Sequence, residues 1–202
     1  RVFLASGALL AGCTAARPGV STGGAGPNQF VRREGMTFKV GEEPYRFVGA
    51  NMWYAAYLGA DADYGDRARL RRELDTLAAM GVTNLRIMAS AEEGPLANSI
   101  KPGFRKSGTD YNQTLLGGLD YALAEMAKRN IRAVLCLTNF WEWSGGMMTY
   151  LSYVNGGEYL DAADPEHPWP AFANYNAQFY GSEKAQLLYR DWIRTVVGDR
   201  KS

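Results

Sequence analysis

Between Phe30 and Asn51, apolar and polar residues alternate in short runs, FVRREG, MTFKV and YRFVGAN, punctuated by Gly35 and the turn Gly41–Pro44. A period of two bounded by turn residues predicts short strands joined as hairpins. From Asp66 the period lengthens. Leu70, Leu74 and Leu77 share one face of a helix predicted over Arg67–Met80, with Asp66 as its N-cap and Gly81 just past its end. Val82–Ala89 predicts a strand. Leu115–Arg129 again has helical spacing, at Leu115, Leu119, Ala122 and Met126, and stops at Asn130. Ile131–Leu137 (IRAVLCL) is almost continuously apolar, the pattern of a strand buried on both faces of a parallel sheet. A long loop is expected over Thr138–Gly181, followed by a last helix over Ser182–Val197 with Leu188 and Trp192 four apart.

Strands alternating with helices in this way predict an α/β fold of βα units on a parallel sheet. In such sheets ligands meet the loops that follow the C-terminal ends of the strands. Three segments hold that position: Asn51–Tyr57, Ser90–Asn112 and Thr138–Gly181.

Composition narrows the chemistry. The chain has 202 residues, 47% hydrophobic and 21% charged, with a net charge of +1. That suits one domain with a sizeable core and gives no basic field for nucleic acid. A single histidine, His167, argues against a His-based metal site or a Ser-His-Asp triad, and nothing in the sequence calls for a cofactor.

The two cysteines differ in setting. Cys136 lies in IRAVLCL and is expected as a small core residue. Cys13 ends RVFLASGALLAGC, a basic residue followed by a short apolar stretch that is too short to span a membrane as a helix. This is the layout of an export signal, and Leu10–Cys13 resembles a bacterial lipobox, so residues 1–13 are expected as a signal with Cys13 lipidated. A plain signal with an incidental cysteine is the alternative. Residues 14–29, rich in Gly, Ser, Thr and Pro, predict a flexible tether, and residues 30–202 the domain. The protein is thus expected to be exported, as a cell-envelope lipoprotein or extracellularly, touching a membrane only through that anchor. Nothing in the sequence fixes an oligomeric state.

Of 8 Phe, 5 Trp and 12 Tyr, eleven fall in Thr138–Gly181. Its start, TNFWEWSGG, crowds three large aromatics around one glutamate directly after a strand. Sugar rings offer an apolar C–H face to a flat aromatic and a hydroxyl edge to Asn, Glu and Arg. Asn139, Trp141, Glu142 and Trp143 have that mixture, as do Asn51, Trp53 and Tyr54 in the first loop. The competing reading is an aromatic mini-core within a large loop, expected for about half of these rings. Arg86, the one charge in NLRIMAS, is expected to be paired, because an isolated buried charge is not tolerated. It could serve an ion pair inside the fold or hold an active-site carboxylate ionised.

The segments YRFVGANMWY, GVTNLRIMAS and NIRAVLCLTNFWEWSGG resemble, in that order, the first half of a glycoside hydrolase family 5 enzyme, nearest the bacterial endo-β-1,4-mannanases. The resemblance runs from about Phe30 to Thr195. It implies a (β/α)8 TIM barrel, of which this chain holds the N-terminal part, about the first three βα units. It also implies retaining hydrolysis of mannan, or of another β-1,4-linked polysaccharide, by two carboxylates roughly 5–5.5 Å apart. On this resemblance Arg86 supports the nucleophile, Asn139 and Trp141 line the cleft after the third strand, and Trp53 is the aromatic after the first.

The family's acid/base glutamate lies in an Asn-Glu-Pro context after the fourth strand, and its nucleophile follows the seventh. No Asn-Glu-Pro occurs here, and Glu42-Glu43-Pro44 sits in the hairpin turn. Both carboxylates are therefore expected beyond Ser202, as in the N-terminal part of a barrel of about 250 residues. The alternatives are a non-catalytic or vestigial sugar-binding protein, and another family 5 glycosidase such as a cellulase.

Overall fold

The computed structural model describes residues 30–161, 163–167 and 169–198. The expected signal, Cys13 and tether lie outside these residues. The chain divides into two compact units, Arg1–Arg46 and Phe47–Ser202.

In the first unit, β1 (Arg32–Glu34), β2 (Thr37–Val40) and β3 (Glu43–Pro44) form an antiparallel meander in the order β1-β2-β3. Arg33 lies opposite Phe38, and Lys39 opposite Pro44. This is the expected hairpin.

The second unit is built on β4 (Gly49–Asn51), β5 (Asn84–Met88) and β6 (Arg132–Cys136), a parallel sheet in the order β4-β5-β6. Of the run YRFVGAN only Gly49–Asn51 is strand. Pairing begins where β5 begins, with Gly49 opposite Asn84, and Phe47 and Val48 before it are exposed. Helices α1 (Ala55–Gly59) and α2 (Arg67–Ala79) connect β4 to β5, and α3 (Gln113–Ala127) lies between β5 and β6. Asp66 caps α2 by accepting the Arg69 N–H, as the sequence indicates, while α3 is capped by Asn112. Asn130, at φ 56, takes the left-handed turn beyond α3.

One side of the sheet carries the core. Leu85 and Ile87 of β5 pack with Leu70 and Leu74 of α2 and with Leu115, Leu119 and Ala122 of α3, all at 0% exposure. Helix α1, absent from the sequence expectation, lies so close to α3 that a Cβ on Gly118 would stand 2.2 Å from the Ala56 carbonyl oxygen. Only glycine permits that approach.

The other side is open, which corrects three expectations. Because side chains alternate across a strand, Asn51, Arg86 and Val134, mutually in register, share the face away from the core. Arg86 is exposed rather than buried, and among the described residues it pairs with no carboxylate: its Nη2 donates to Cys136 Sγ at 3.0 Å. Cys136 is half-buried, not core. The strand IRAVLCL is not buried on both faces, since Val134 is 47% exposed. Among the described residues the βα units of a barrel are present, but no barrel closes.

The long segment after β6 is not an irregular loop. It folds into a 3-10 turn (Glu142–Ser144), α4 (Gly146–Ser152), α5 (Trp169–Ala177) and a second 3-10 turn (Gln178–Gly181). Helix α6 (Glu183–Ile193), capped by Ser182, runs into a π-turn (Arg194–Gly198) and buries Trp192.

Candidate functional site

The C-terminal ends of the three parallel strands are extended by backbone bonds that set the rim. Met52 N–H donates to the Arg86 carbonyl at 2.9 Å, Met88 N–H to the Trp53 carbonyl at 3.4 Å, and Ala89 N–H to the Cys136 carbonyl at 3.0 Å. Trp53 is thereby held beside the tip of β5. Its indole meets three rings edge-on: Tyr54 at 5.5 Å, Tyr57 at 6.0 Å and Trp143 at 5.8 Å. Trp53 is 42% exposed, and Trp143 is half-buried. The structure thus joins Trp53 and Trp143 across two loops, and Asn51 and Arg86 share the open face of the sheet.

The other sequence candidates have different placements. Tyr54 turns toward α2, where its hydroxyl donates to Glu73 at 2.8 Å and Arg69 lies over its ring. Burial first, and then Glu73, raise its pKa. The Asn139 amide is committed within its own loop: Nδ2 donates to Ser144 Oγ at 2.9 Å and Oδ1 accepts the Phe140 N–H at 2.8 Å. Trp141 stands apart from Trp143. It stacks on Phe172 at 6.0 Å and 20°, beside Trp169 at 5.3 Å. With Phe140 these rings form an aromatic ledge, and the mini-core reading is met by a second cluster around Tyr150, Leu151 and Phe179. Glu142 is 9% exposed, and its Oε2 has no hydrogen-bond partner. Its backbone carbonyl accepts the Ser99 hydroxyl at 3.3 Å. Glu142 therefore lies under the loop, not on its open surface.

Sequence reasoning missed the residues that tie the second and third loops together. Glu92 is 1% exposed. Its Oε1 accepts the Ser90 hydroxyl at 2.6 Å, and its Oε2 accepts the Gly146 N–H at 2.8 Å. Burial pushes its carboxyl above the usual range, against the pull of those two hydrogen bonds. Arg105, also 1% exposed, donates to the carbonyls of Ser107 (2.9 Å), Leu188 (2.7 Å) and Gly108, binding this loop to α6. Its guanidinium lies over the rings of Tyr111 and Tyr150. The Tyr150 hydroxyl feels the Glu92 charge without forming a hydrogen bond of good geometry, and burial followed by that charge holds its pKa well above 10. Glu92 and Arg105 have no local sequence signature. The burial of Glu92 in the run AEEGP is set only when the third loop is placed against it.

Rings at the strand ends, with Asn51 and Arg86 on the open face of the same sheet, bring together the residue types that pyranose recognition uses. Parallel βα units carrying them give the architecture of a glycosidase-type α/β fold, with no closed barrel among the described residues. The family model of glycoside hydrolase family 5 β-mannosidase-like proteins matches residues 28–202, and the chain belongs to that family.

A family 5 mannosidase from Rhizomucor miehei is 35% identical, with a TM-score of 0.80 over 88% of this chain and 45% of that one. A variant of that mannosidase is known in complex with mannosyl-fructose. The endo-1,4-beta-mannanase of the same fungus shares the fold, at a TM-score of 0.63 over 86% of this chain and 43% of its own, with 19% identity. Mannan endo-1,4-beta-mannosidase 7 of Arabidopsis thaliana is 29% identical over 125 residues, covering 62% of this chain and 27% of that protein. The chain spans less than half the length of each of these relatives.

Proposed function

We propose that the protein is a retaining β-mannoside hydrolase and that this chain supplies the rim that binds a mannosyl unit. The observation that carries this reading is the family membership, with 35% identity to a solved family 5 mannosidase beside it. Cleavage at the end of a short mannoside is the first reading. The tying of the second and third loops into one wall, through Glu92 to Gly146 and through Ile100 N–H to the Trp143 carbonyl at 2.7 Å, supports a closed pocket more than an open groove. Internal cleavage of mannan, the activity named for the plant relative, is the second reading.

In this proposal the two catalytic carboxylates lie outside the 202 residues. Glu92 and Glu142 are both buried, and Arg86 faces the open side where a carboxylate would meet it. Turnover by the 202-residue chain alone is therefore expected to be absent. Product analysis on mannotetraose and galactomannan, with the protein from its complete reading frame, tests the reading. Mannose as the sole early product is expected, whereas a ladder of oligosaccharides favours internal cleavage. Binding of mannotriose without cleavage would make it a sugar-binding protein. Lipidation at Cys13 belongs to the same proposal, supported by the run LLAGC. Incorporated fatty acid label should vanish in Cys13→Ser, and unchanged label would leave a plain signal.

A further inference from the structure

We propose that Glu92 is a positioning residue for the Trp53–Trp143 sugar platform, acting through the reach of its carboxyl to the Gly146 amide. The inference rests on the mannoside-binding reading for its substrate class, but its geometry stands independently. Four bonds run from the second loop to the segment that carries Trp143, the first from the Ser99 hydroxyl to the Glu142 carbonyl at 3.3 Å. Ile100 N–H donates to the Trp143 carbonyl at 2.7 Å, Glu92 N–H to the Ser144 carbonyl at 3.2 Å, and Gly146 N–H to Glu92 Oε2 at 2.8 Å. The middle of this segment has no freedom to move toward Glu92. A Cβ on Gly145, at φ +82, would stand 2.2 Å from the Glu92 carbonyl oxygen. Trp143 is thus flanked on both sides by bonds to the second loop, and of these only the bond to Glu92 is accepted by a side chain.

The burial of Glu92 explains why a carboxyl is used here. Gly146 N–H opens α4 and would be an orphan donor in a region without water, so it must find an acceptor nearby. Ser90 fixes the other oxygen and with it the plane of the carboxyl. Ser90, Glu92 and Gly146 form a chain in which each member orients the next. Releasing Gly146 lets the Glu142–Gly146 turn shift, and with it the indole that faces Trp53. Glu92 touches no sugar in this scheme.

The chemistry separates reach from charge. Gln keeps the length of Glu and can accept the Gly146 N–H while its amide donates to Ser90 Oγ, a hydroxyl able to accept. Asp keeps the charge but is shorter by one carbon–carbon bond, about 1.5 Å, and so falls short of Gly146. The experiment compares the chain with E92D, E92Q and E92A by hydrogen exchange at Gly146. It adds the exciton band that two close indoles give in circular dichroism, assigned to this pair by its loss in W53F, and mannotriose titration followed by tryptophan fluorescence.

E92D and E92A should speed exchange at Gly146 about tenfold or more, as for a lost charge-assisted hydrogen bond, with a weaker exciton band and similarly weakened mannotriose binding. E92Q should restore all three readouts to within about threefold of the unaltered chain. Normal behaviour of E92D, or loss in E92Q equal to that in E92A, would overturn the proposal, as would faster exchange with an unchanged exciton band. If E92D and E92A do not fold, S90A makes the same comparison: a weakened band supports the proposal and an unchanged one overturns it. Failure of the unaltered chain to bind mannotriose would count against the mannoside reading alone, because exchange and the exciton band do not require sugar.

Discussion

Trp143 meets Trp53 edge-on at 5.8 Å and 76°, although the two indoles come from loops that follow different strands. Neither ring could form this surface alone. β4 delivers Trp53 to the tip of β5, and the turn after β6 brings Trp143 across to it. A platform assembled from two loops depends on every contact that fixes their relative placement.

Loss of Trp143 should therefore weaken sugar binding beyond the loss of one ring. Trp143→Ala is expected to lower mannotriose affinity about five- to thirtyfold, the equivalent of roughly 1–2 kcal/mol, with Trp143→Phe recovering part of it. Fluorescence titration measures this. An unchanged affinity in Trp143→Ala would leave the ring with a packing role only.

Gly118→Ala should destabilise the second unit. The added methyl meets backbone, the Ala56 carbonyl oxygen at 2.2 Å and the Ala60 nitrogen at 2.7 Å, so no side chain can yield to it. Overpacking of this kind costs about 1–3 kcal/mol. Urea denaturation reads the loss, and the Trp53–Trp143 exciton band should weaken as well, because α1 directly follows Trp53 and Tyr54.

Stability should fall on the alkaline side. Burial holds the hydroxyls of Tyr57, Tyr150, Tyr153 and Tyr159 neutral, pushing Tyr159 up to about 12 and the other three well above the ordinary phenol value. A raised phenol pKa contributes stability that is complete below the unfolded value of 10 and is lost as pH climbs from there through the native values. Melting curves recorded from pH 8 to 12 should show the midpoint dropping above about 10. Absorbance at 295 nm should show phenolate appearing late, or together with unfolding. Early titration of the whole tyrosine set without loss of structure would contradict this packing.

Strand β6 should exchange faster than β5. Among the described residues β5 is paired on both sides and β6 on one, and Val134 is 47% exposed. Amides of Asn84–Met88 should be the better protected, and residues on the outer side of Arg132–Cys136 should exchange through local fluctuation. Equal protection along both strands would mean that something covers the β6 edge.

The regular elements were legible because their signals are local. Leu70 and Leu74 lie one helical turn apart and face the core whatever surrounds them, and the Asp66 cap and the left-handed Asn130 are each set by neighbours within a few residues. The aromatic crowding in TNFWEWSGG pointed to the rim. It could not say that Trp143 would join Trp53 while Trp141 turned to Phe172 and Trp169.

What the sequence determined by itself is the succession β4, α2, β5, α3, β6 and α6, and the family. The tertiary structure alone decided which face of the sheet each residue occupies in practice and which polar groups lose water. Arg86 reads as a buried charge within NLRIMAS, yet it lies on the open side, because burial belongs to a residue's neighbours in space rather than in the chain. Glu92 carries no signal of its own beside Glu93, yet it is buried, because Ser90 and the amide of Gly146 converge on it. A carboxylate costs little in water and must be fully partnered when dry, so its role is settled only when the two loops close over it.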